Sequence, residues 1–376
     1  MKTSTPAPKP SAFFKISRVL PFITLIMFTV ALVHLFIFRV TSYSITADSY
    51  RTALMLVLIL GWLTLPLGLI ATHIRHPLLR FSAWGSYIWM GLFNFLFLFS
   101  LIEFIIQFIY PHAYSYWVLG ICSLIGLWSL YKGLSFPKVI FHSLHRSEIK
   151  GLRLVQISDL HVGMLHLNEK WLNRIVTTIN ELKPDIVAIT GDLVEGDFLE
   201  ISPQLAPLSQ ISATLDKFYI TGNHEYIHHS GSWEERLQQL GFSVLHNQNK
   251  IISYKESRVL IAGVPDRMIG RFISGSLSLP DKALSTGEPV QYKILLAHEP
   301  ASVQDIKRES CDLILTGHTH GGQIFPFHFL VRLVQPVLKG FKRINGILVF
   351  AHQGTGFWGP PMRWFSRSEI VIFDWK

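Results

Sequence analysis

A chain of 376 residues is long enough for two or three domains, yet 49% hydrophobic against 16% charged residues excludes a single ordinary soluble domain. Its formal net charge of +9 does not lie on a folded basic face. Residues 1–150 hold 12 Lys/Arg and 3 Asp/Glu, whereas residues 151–376 hold 22 of each. The surplus therefore flanks apolar runs, and no nucleic-acid partner is expected.

Residues 1–18, Pro- and Lys-rich at the start, read as a disordered N-terminus. Four apolar stretches follow, at residues 19–38, 52–70, 83–110 and 114–131. Each is near or above the roughly 18–20 residues that cross a bilayer core, so residues 19–131 are expected to form a four-span transmembrane segment. The first run is longer than the apolar core of a signal peptide, and three more follow it. Lys2, Lys9, Lys15 and Arg18 precede span one, Arg75 and Arg80 separate spans two and three, and Lys132, Lys138, Arg146 and Lys150 follow span four. The excess of positive charge on the cytoplasmic side then places both termini in the cytoplasm. The expectation is a multi-pass protein of the cytoplasmic (inner) membrane with its second half facing the cytoplasm. Trp84, Tyr87, Trp89, Tyr110, Tyr114, Tyr116 and Trp117 fall where an interfacial aromatic belt would. Glu103 and Gln107, one turn apart within span three, are either a functional intramembrane pair or a polar contact between helices. Residues 132–150 read as a linker.

From Gly151 the pattern changes to short apolar strands alternating with amphipathic helices, an α/β arrangement. Residues 152–157 form a strand ending in Ser158-Asp159. Asn168 begins a helix with Trp171, Leu172, Ile175, Val176 and Ile179 on one face. Residues 186–190 form a strand ending in Gly191-Asp192, and a helix near 203–213 leads to a strand at 218–221 ending in Gly222-Asn223-His224. Residues 294–297 end at His298, and 313–316 at Gly317-His318. Every polar residue follows the carboxyl end of a strand, where open α/β sheets place their ligands.

Together these ends deliver Asp159, His161, Asp192, Asn223, His224, His298, His318 and His320. Carboxylate, amide oxygen and imidazole suit borderline cations such as Mn²⁺, Fe and Zn²⁺. Only Cys122 and Cys311 are present, with no CxxC, which argues against thiolate-bound zinc and redox chemistry. Seven ligands are too many for one tetrahedral cation and suit two that share a carboxylate. Two cations about 3.5–4 Å apart clamp a phosphate and generate a bound hydroxide, and a further histidine can protonate the leaving oxygen.

The run Asp159-Leu160-His161, Gly191-Asp192, Gly222-Asn223-His224-Glu225, His298 and Gly317-His318-Thr319-His320 resembles the calcineurin-like metallophosphoesterase family across residues 151–376. The closer resemblance is to its bacterial membrane-associated branch, through Gly321-Gly322-Gln323-Ile324, Gly354-Thr355-Gly356 and Pro361-Met362-Arg363. The resemblance implies a four-layer α/β/β/α sandwich following the four-helix transmembrane segment. It implies Asp159, His161 and His320 on one metal, Asp192 as bridge, and Asn223, His298 and His318 on the second. His224 would contact phosphate and serve as, or support, the general acid. Glu225 stands where many members carry Asp.

Residues 325–341 are apolar and basic, and either dock on lipid headgroups or pack on their own domain. Phe357, Trp358, Pro360, Pro361 and Trp364 form a second aromatic cluster, at the cleft rim or in the core. Tethering raises the effective concentration of membrane substrates, which favours membrane lipids as partners and a lipid-linked phosphodiester or pyrophosphate as substrate. Relatives that cleave UDP-diacylglucosamine make that class concrete at the level of family analogy. The alternatives are a soluble nucleotide or cyclic nucleotide, and a non-catalytic metal-binding sensor or scaffold.

Overall fold

The computed structural model describes residues 12–71, 77–111, 116–227 and 233–376. The chain divides into two compact units, Met1–Gly126 and Leu127–Lys376.

The first unit is helical: α1 (Ala12–Thr41), α2 (Asp48–Ala71), α3 (Pro77–Ile109) and the start of α4 (Tyr116–Leu134). Within them Pro21–Thr41, Asp48–Gly68, Phe81–Ile109 and Tyr116–Leu134 are long and apolar enough to cross a membrane, close to the expected spans. Helix α1 begins at Ala12, inside the stretch expected to be disordered; residues 1–11, with Lys2 and Lys9, lie outside the described residues, as do Arg75 and Tyr114. Glu103 is buried and makes a contact between helices. Gln107 Nε2 donates to Glu103 Oε1 (2.9 Å) and to the Val40 carbonyl of α1 (3.0 Å), and Trp117 Nε1 of α4 donates to Glu103 Oε2 (2.6 Å). Such bonds satisfy polar groups that lipid cannot. Trp117 thus turns inward instead of joining an aromatic belt. Trp89 does the same, donating to His34 Nε2 (3.1 Å).

The second unit begins with the end of α4, then β1 (Lys138–Leu144), β2 (Arg153–Ile157), α5 (Glu169–Glu181), β3 (Ile186–Thr190), α6 (Phe198–Ile201) and β4 (Asp216–Ile220). It continues with α7 (Asn223–Ile227), α8 (Trp233–Gln239), β5 (Ser243–Val244), β6 (Gln248–Tyr254), β7 (Ser257–Gly263), α9 (Ile269–Phe272) and α10 (Pro280–Leu284). It closes with β8 (Tyr292–Leu296), β9 (Leu313–Thr316), α11 (Phe327–Val334), β10 (Gly340–Ile344), β11 (Ile347–Ala351) and β12 (Glu369–Trp375).

Two six-stranded sheets result, ordered β1-β12-β2-β3-β4-β5 and β10-β11-β9-β8-β7-β6. In the first, β2 to β5 run parallel and β12 antiparallel to β2; in the second, β7, β8, β9 and β11 are parallel and β6 and β10 are antiparallel edges. Period-two alternation sends Ile186 and Ala188 of β3, Phe218 and Ile220 of β4, Ile294 and Leu296 of β8, and Phe373 and Trp375 of β12 into one shared core between the sheets. The opposite face of β8 and β9 packs Leu295 and Ile314 with Ala283 and Leu284 of α10. Helix α5 buries Trp171, Leu172, Ile175, Val176 and Ile179, and its N-cap Asn168 accepts from the backbone N–H groups of Lys170 and Trp171. These are the packed layers expected of the sandwich.

Two local expectations change. The stretch 132–150 is not a plain linker, because it carries the end of α4 and edge strand β1, which pairs in parallel with β12 from Lys138↔Glu369 to Leu144↔Trp375. The helix expected near 203–213 is a 3-10 segment, Ser202–Gln210, after the single turn of α6; Pro207 inside it lacks the N–H that an α-helix requires.

Candidate active site

The five strand ends converge. Asp159 and His161 follow β2, Asp192 follows β3, Asn223 and His224 open α7 after β4, His298 follows β8, and His318 and His320 follow β9. Five of them, Asp159, His161, Asp192, His318 and His320, hold φ between 47° and 66°. Non-glycine residues seldom adopt this left-handed backbone, and such strain concentrates at functional sites. Two neighbouring glycines are required by close approach: a Cβ on Gly222 would collide with the Asp192 carboxylate, and one on Gly317 with Ser158 and the Asp159 carboxylate.

Three groups of ligand-type atoms form among the described residues, two of them, Asp159/His161/His320 and Asp192/His298/His318, from the expected ligands and the third, His161/Glu195/His224, beside them; the atoms of each group lie within 4.8 Å of one another. His161 Nε2 lies 3.2 Å from His320 Nε2, which is 3.4 Å from Asp159 Oδ1. In the second group His298 Nε2 lies 3.1 Å from Asp192 Oδ2 and 3.3 Å from His318 Nδ1. His298 Nδ1 faces the Thr190 carbonyl at 2.8 Å, so that contact sets the ring and leaves Nε2 for the centre. The backbone N–H of His318 donates to both Asp159 oxygens (3.0 and 3.1 Å), and that of His224 to Asp192 Oδ1 (2.9 Å).

The side-chain oxygen of Asn223 is buried and has no hydrogen-bond partner among the described residues. An orphaned amide oxygen beside converging imidazole nitrogens is costly in a metal-free protein. It fits a cation, and the donor set of two carboxylates, one amide oxygen and imidazoles fits two. Burial raises the Asp192 carboxyl, but His298, His224 and His161 overcome it and hold the group well below the usual carboxylate range. Burial, then His161 and Arg363, push His320 well below its ordinary value, keeping it neutral as a ligand must be.

His224 stands at the edge of the first two groups. Its Nε2 is 4.0 Å from Asp192 Oδ2 and its Nδ1 2.7 Å from Glu195 Oε2. Burial lowers its pKa, but Asp192, Glu195 and Glu225 raise it to about 9 in the metal-free site. The exposed Trp358 lies edge-on to it, ring centres 5.8 Å apart.

Three further residues, Glu195, Glu225 and Arg363, act behind this shell. Glu195 Oε2, besides touching His224, lies 3.1 Å from His161 Nδ1, so one carboxylate oxygen orients both rings. Its only sequence signal is its place three residues after Asp192, in Gly191-Asp192-Leu193-Val194-Glu195. Replacing Glu195 by Ala is expected to lower kcat/KM or metal affinity about 10–100-fold, measured as turnover beside metal content. Glu225, the departure from Asp, turns away from the centre and accepts the backbone N–H groups of Gly222 (2.6 Å), Asp192 (3.1 Å) and Leu193 (2.7 Å). It therefore ties the β3 and β4 loops together. Buried Arg363 donates to the carbonyls of His320 (3.2 Å), Gln353 (2.7 Å) and Gly356 (2.6 Å), bracing the last histidine loop.

Comparison with known proteins agrees with this geometry. The Calcineurin-like phosphoesterase family model matches residues 152–322. An uncharacterized metallophosphoesterase of Helicobacter pylori strain J99 is 35% identical over 64% of both chains. A Danio rerio protein described as a transmembrane protein with metallophosphoesterase domain is 34% identical over 67% of this chain and 60% of its own. The chain thus spans less than two thirds of the length of these relatives. An uncharacterized metallophosphoesterase of Aquifex aeolicus is 32% identical over 60% of this chain and 85% of its own. With that much of a relative matched, and with its histidine and aspartate loops in the family's order, the chain belongs to the calcineurin-like metallophosphoesterases.

Proposed function

We propose that this protein is a membrane-anchored, dinuclear metal-dependent phosphodiesterase or pyrophosphatase that hydrolyses a lipid-linked phosphate. The observation that carries the proposal is the pair of ligand groups, Asp159/His161/His320 and Asp192/His298/His318, in a chain with four membrane-capable helices. Asp159, His161 and His320 would hold one cation, Asn223, His298 and His318 the other, and Asp192 would bridge. Mn²⁺, Fe or Zn²⁺ suits these donors. Two such cations supply Lewis acidity toward the phosphoryl oxygens and an activated water.

The chain's own residues do the rest. His224 turns Nδ1 to Glu195, which leaves Nε2 as the nitrogen from which a leaving oxygen can take a proton. Glu195 keeps that ring and His161 in register. Trp358 lies edge-on against His224. The lysines and arginines flanking the spans support a place in the cytoplasmic membrane with this site on the cytoplasmic side. A reporter fused after Lys376 tests that: a signal from the exported side would refute it.

Substrate class is tested on full-length protein in lipid nanodiscs, stripped by chelator and reloaded with Mn²⁺, Fe²⁺ or Zn²⁺. Chelation is expected to abolish turnover and reloading to restore it, with a lipid-linked pyrophosphate preferred over bis-p-nitrophenyl phosphate and p-nitrophenyl phosphate. Faster turnover of soluble nucleotide diesters would shift the reading to a soluble substrate. No turnover with any metal would leave a binding protein.

A further inference from the structure

Helix α11 leaves the last histidine loop directly and is fastened to it on one side. Buried His328 packs over Gly322, where a Cβ would come within 2.9 Å of its ring. The other side is apolar and open. Leu330 is 58%, Leu333 81% and Val334 70% exposed, and Phe327 and Phe329 are about half exposed. Phe365, 63% exposed, extends this face through its ring contact with Phe325. Contiguous exposed apolar surface of this kind marks an interaction site.

Charge and position identify the occupant. Residues 313–368 contain no Asp or Glu, while Arg332, Lys339, Lys342, Arg343 and Arg367 are exposed among them. Within the same compact unit, this segment touches the last turns of α4. The Arg363 N–H donates to the Ser129 carbonyl (2.9 Å), and Gly133 lies so close to Pro361 that a Cβ would collide with it. Trp128 and Tyr131 are exposed on those turns, and Lys132 Nζ sits 4.7 Å over the Trp128 ring. Aromatic rings with a snorkelling lysine mark the level at which a membrane helix meets the headgroups. The chain then enters its sheet at the site end, because β1 runs parallel to β12 and β12 antiparallel to β2, so Lys138 lies at the end from which β2 delivers Asp159.

We infer that α11, with Phe365 and Trp358, is a membrane-docking surface whose apolar face lies in the interfacial layer of an anionic bilayer, with the neighbouring lysines and arginines among the lipid phosphates. The surface is continuous with the catalytic rim. Gln323 Nε2, one turn before α11, donates to the carbonyls of Trp358 (2.7 Å) and Pro360 (3.0 Å), and Trp358 lies against His224. Docking therefore brings the headgroup layer to the mouth of the site. The inference does not depend on the substrate being a lipid.

The test uses the full chain in bilayers of phosphatidylcholine with and without phosphatidylglycerol. Leu333→Cys carries an environment-sensitive dye. Glu256→Cys, in the exposed β6–β7 turn at the opposite end of the sheets, is the control; the native Cys122 and Cys311 are buried. The dye at 333 is expected to shift to the blue and to be quenched by lipids carrying a quencher on the acyl chain, more strongly with phosphatidylglycerol and less in high salt, while the dye at 256 is unaffected. Equal quenching at the two positions would overturn the inference. So would a blue-shifted dye at 333 that lipid leaves unquenched while Leu333→Cys crosslinks two copies of the chain. Quenching at 333 without turnover of any lipid-linked phosphate supports docking and counts only against the proposed substrate.

Discussion

Asp192→Asn is expected to lower kcat/KM on any phosphodiester by about three orders of magnitude, because a bridging carboxylate shapes charge stabilisation worth several kcal/mol at ~1.4 kcal/mol per tenfold. The substitution is close to a pure change of charge. Asn keeps the Oδ1 that accepts the His224 N–H and tolerates the left-handed φ of 50° at this position. What it removes is the anion that His298 and His224 face. Metal content should fall with activity, and the thermal unfolding midpoint of the metal-free protein should fall as well, because His298 and His224 lose the anion that they face. Metal analysis and steady-state kinetics on the full-length variant check both. Retention of metal and of activity within about tenfold of the parent would refute the bridging role.

His224→Ala is expected to cost about 10²–10⁴-fold, the range for a general acid, and the loss should depend on the leaving group. A p-nitrophenolate departs without a proton, so bis-p-nitrophenyl phosphate should be cleaved by the variant at a smaller loss than a diester with an alkyl leaving group. The contrast follows from the contact of His224 Nδ1 with Glu195 at 2.7 Å, which leaves Nε2 as the proton-bearing atom toward substrate. Equal losses on both substrates would mean that His224 binds the phosphate without protonating the leaving oxygen. Because Glu195 touches His161 as well, the double variant His224→Ala/Glu195→Ala should still lose activity beyond His224→Ala alone. The two effects need not add, since the residues share a contact.

The membrane helices and the strands ending at Asp192 and His318 were readable because their signals are local. An apolar run of sufficient length, or four apolar residues and a threonine before Gly-Asp, reports its own environment. The hairpin β10–β11 was also written locally, in Asn345-Gly346 between Ile344 and Ile347, which pair directly, and went unread despite being a strong two-residue turn signal. Edge strand β1 was not readable in the same way. Its exposed and half-buried residues carry only the short apolar run Val139-Ile140-Phe141, and its partner β12 lies more than 200 residues away. The segment expected as a helix near 203–213 is the 3-10 segment Ser202–Gln210, because Pro207 lacks the N–H that an α-helix requires.

At the site, residue types at strand ends named the donors, since a sharp loop after a buried strand needs Gly and an exposed functional group needs Asp, Asn or His, both visible in one dimension. The same sequence could not say which nitrogen of His298 faces inward, that Glu195 joins His161 to His224, or that Glu225 fastens two loops. Each of these depends on where separate loops meet. Nor could it decide whether residues 325–341 pack inward or outward, because a short amphipathic helix has one apolar face in either case. Sequence by itself determined which metal-ligating side chains the strand ends carry and that four helices are long and apolar enough to cross a membrane, because composition, hydrophobic run length and strand-end residue types are properties of contiguous residues. Only the tertiary structure decided how the ligand rings are oriented and that the face of α11 is left open, because those depend on packing between segments far apart in the chain, and no local preference encodes that packing.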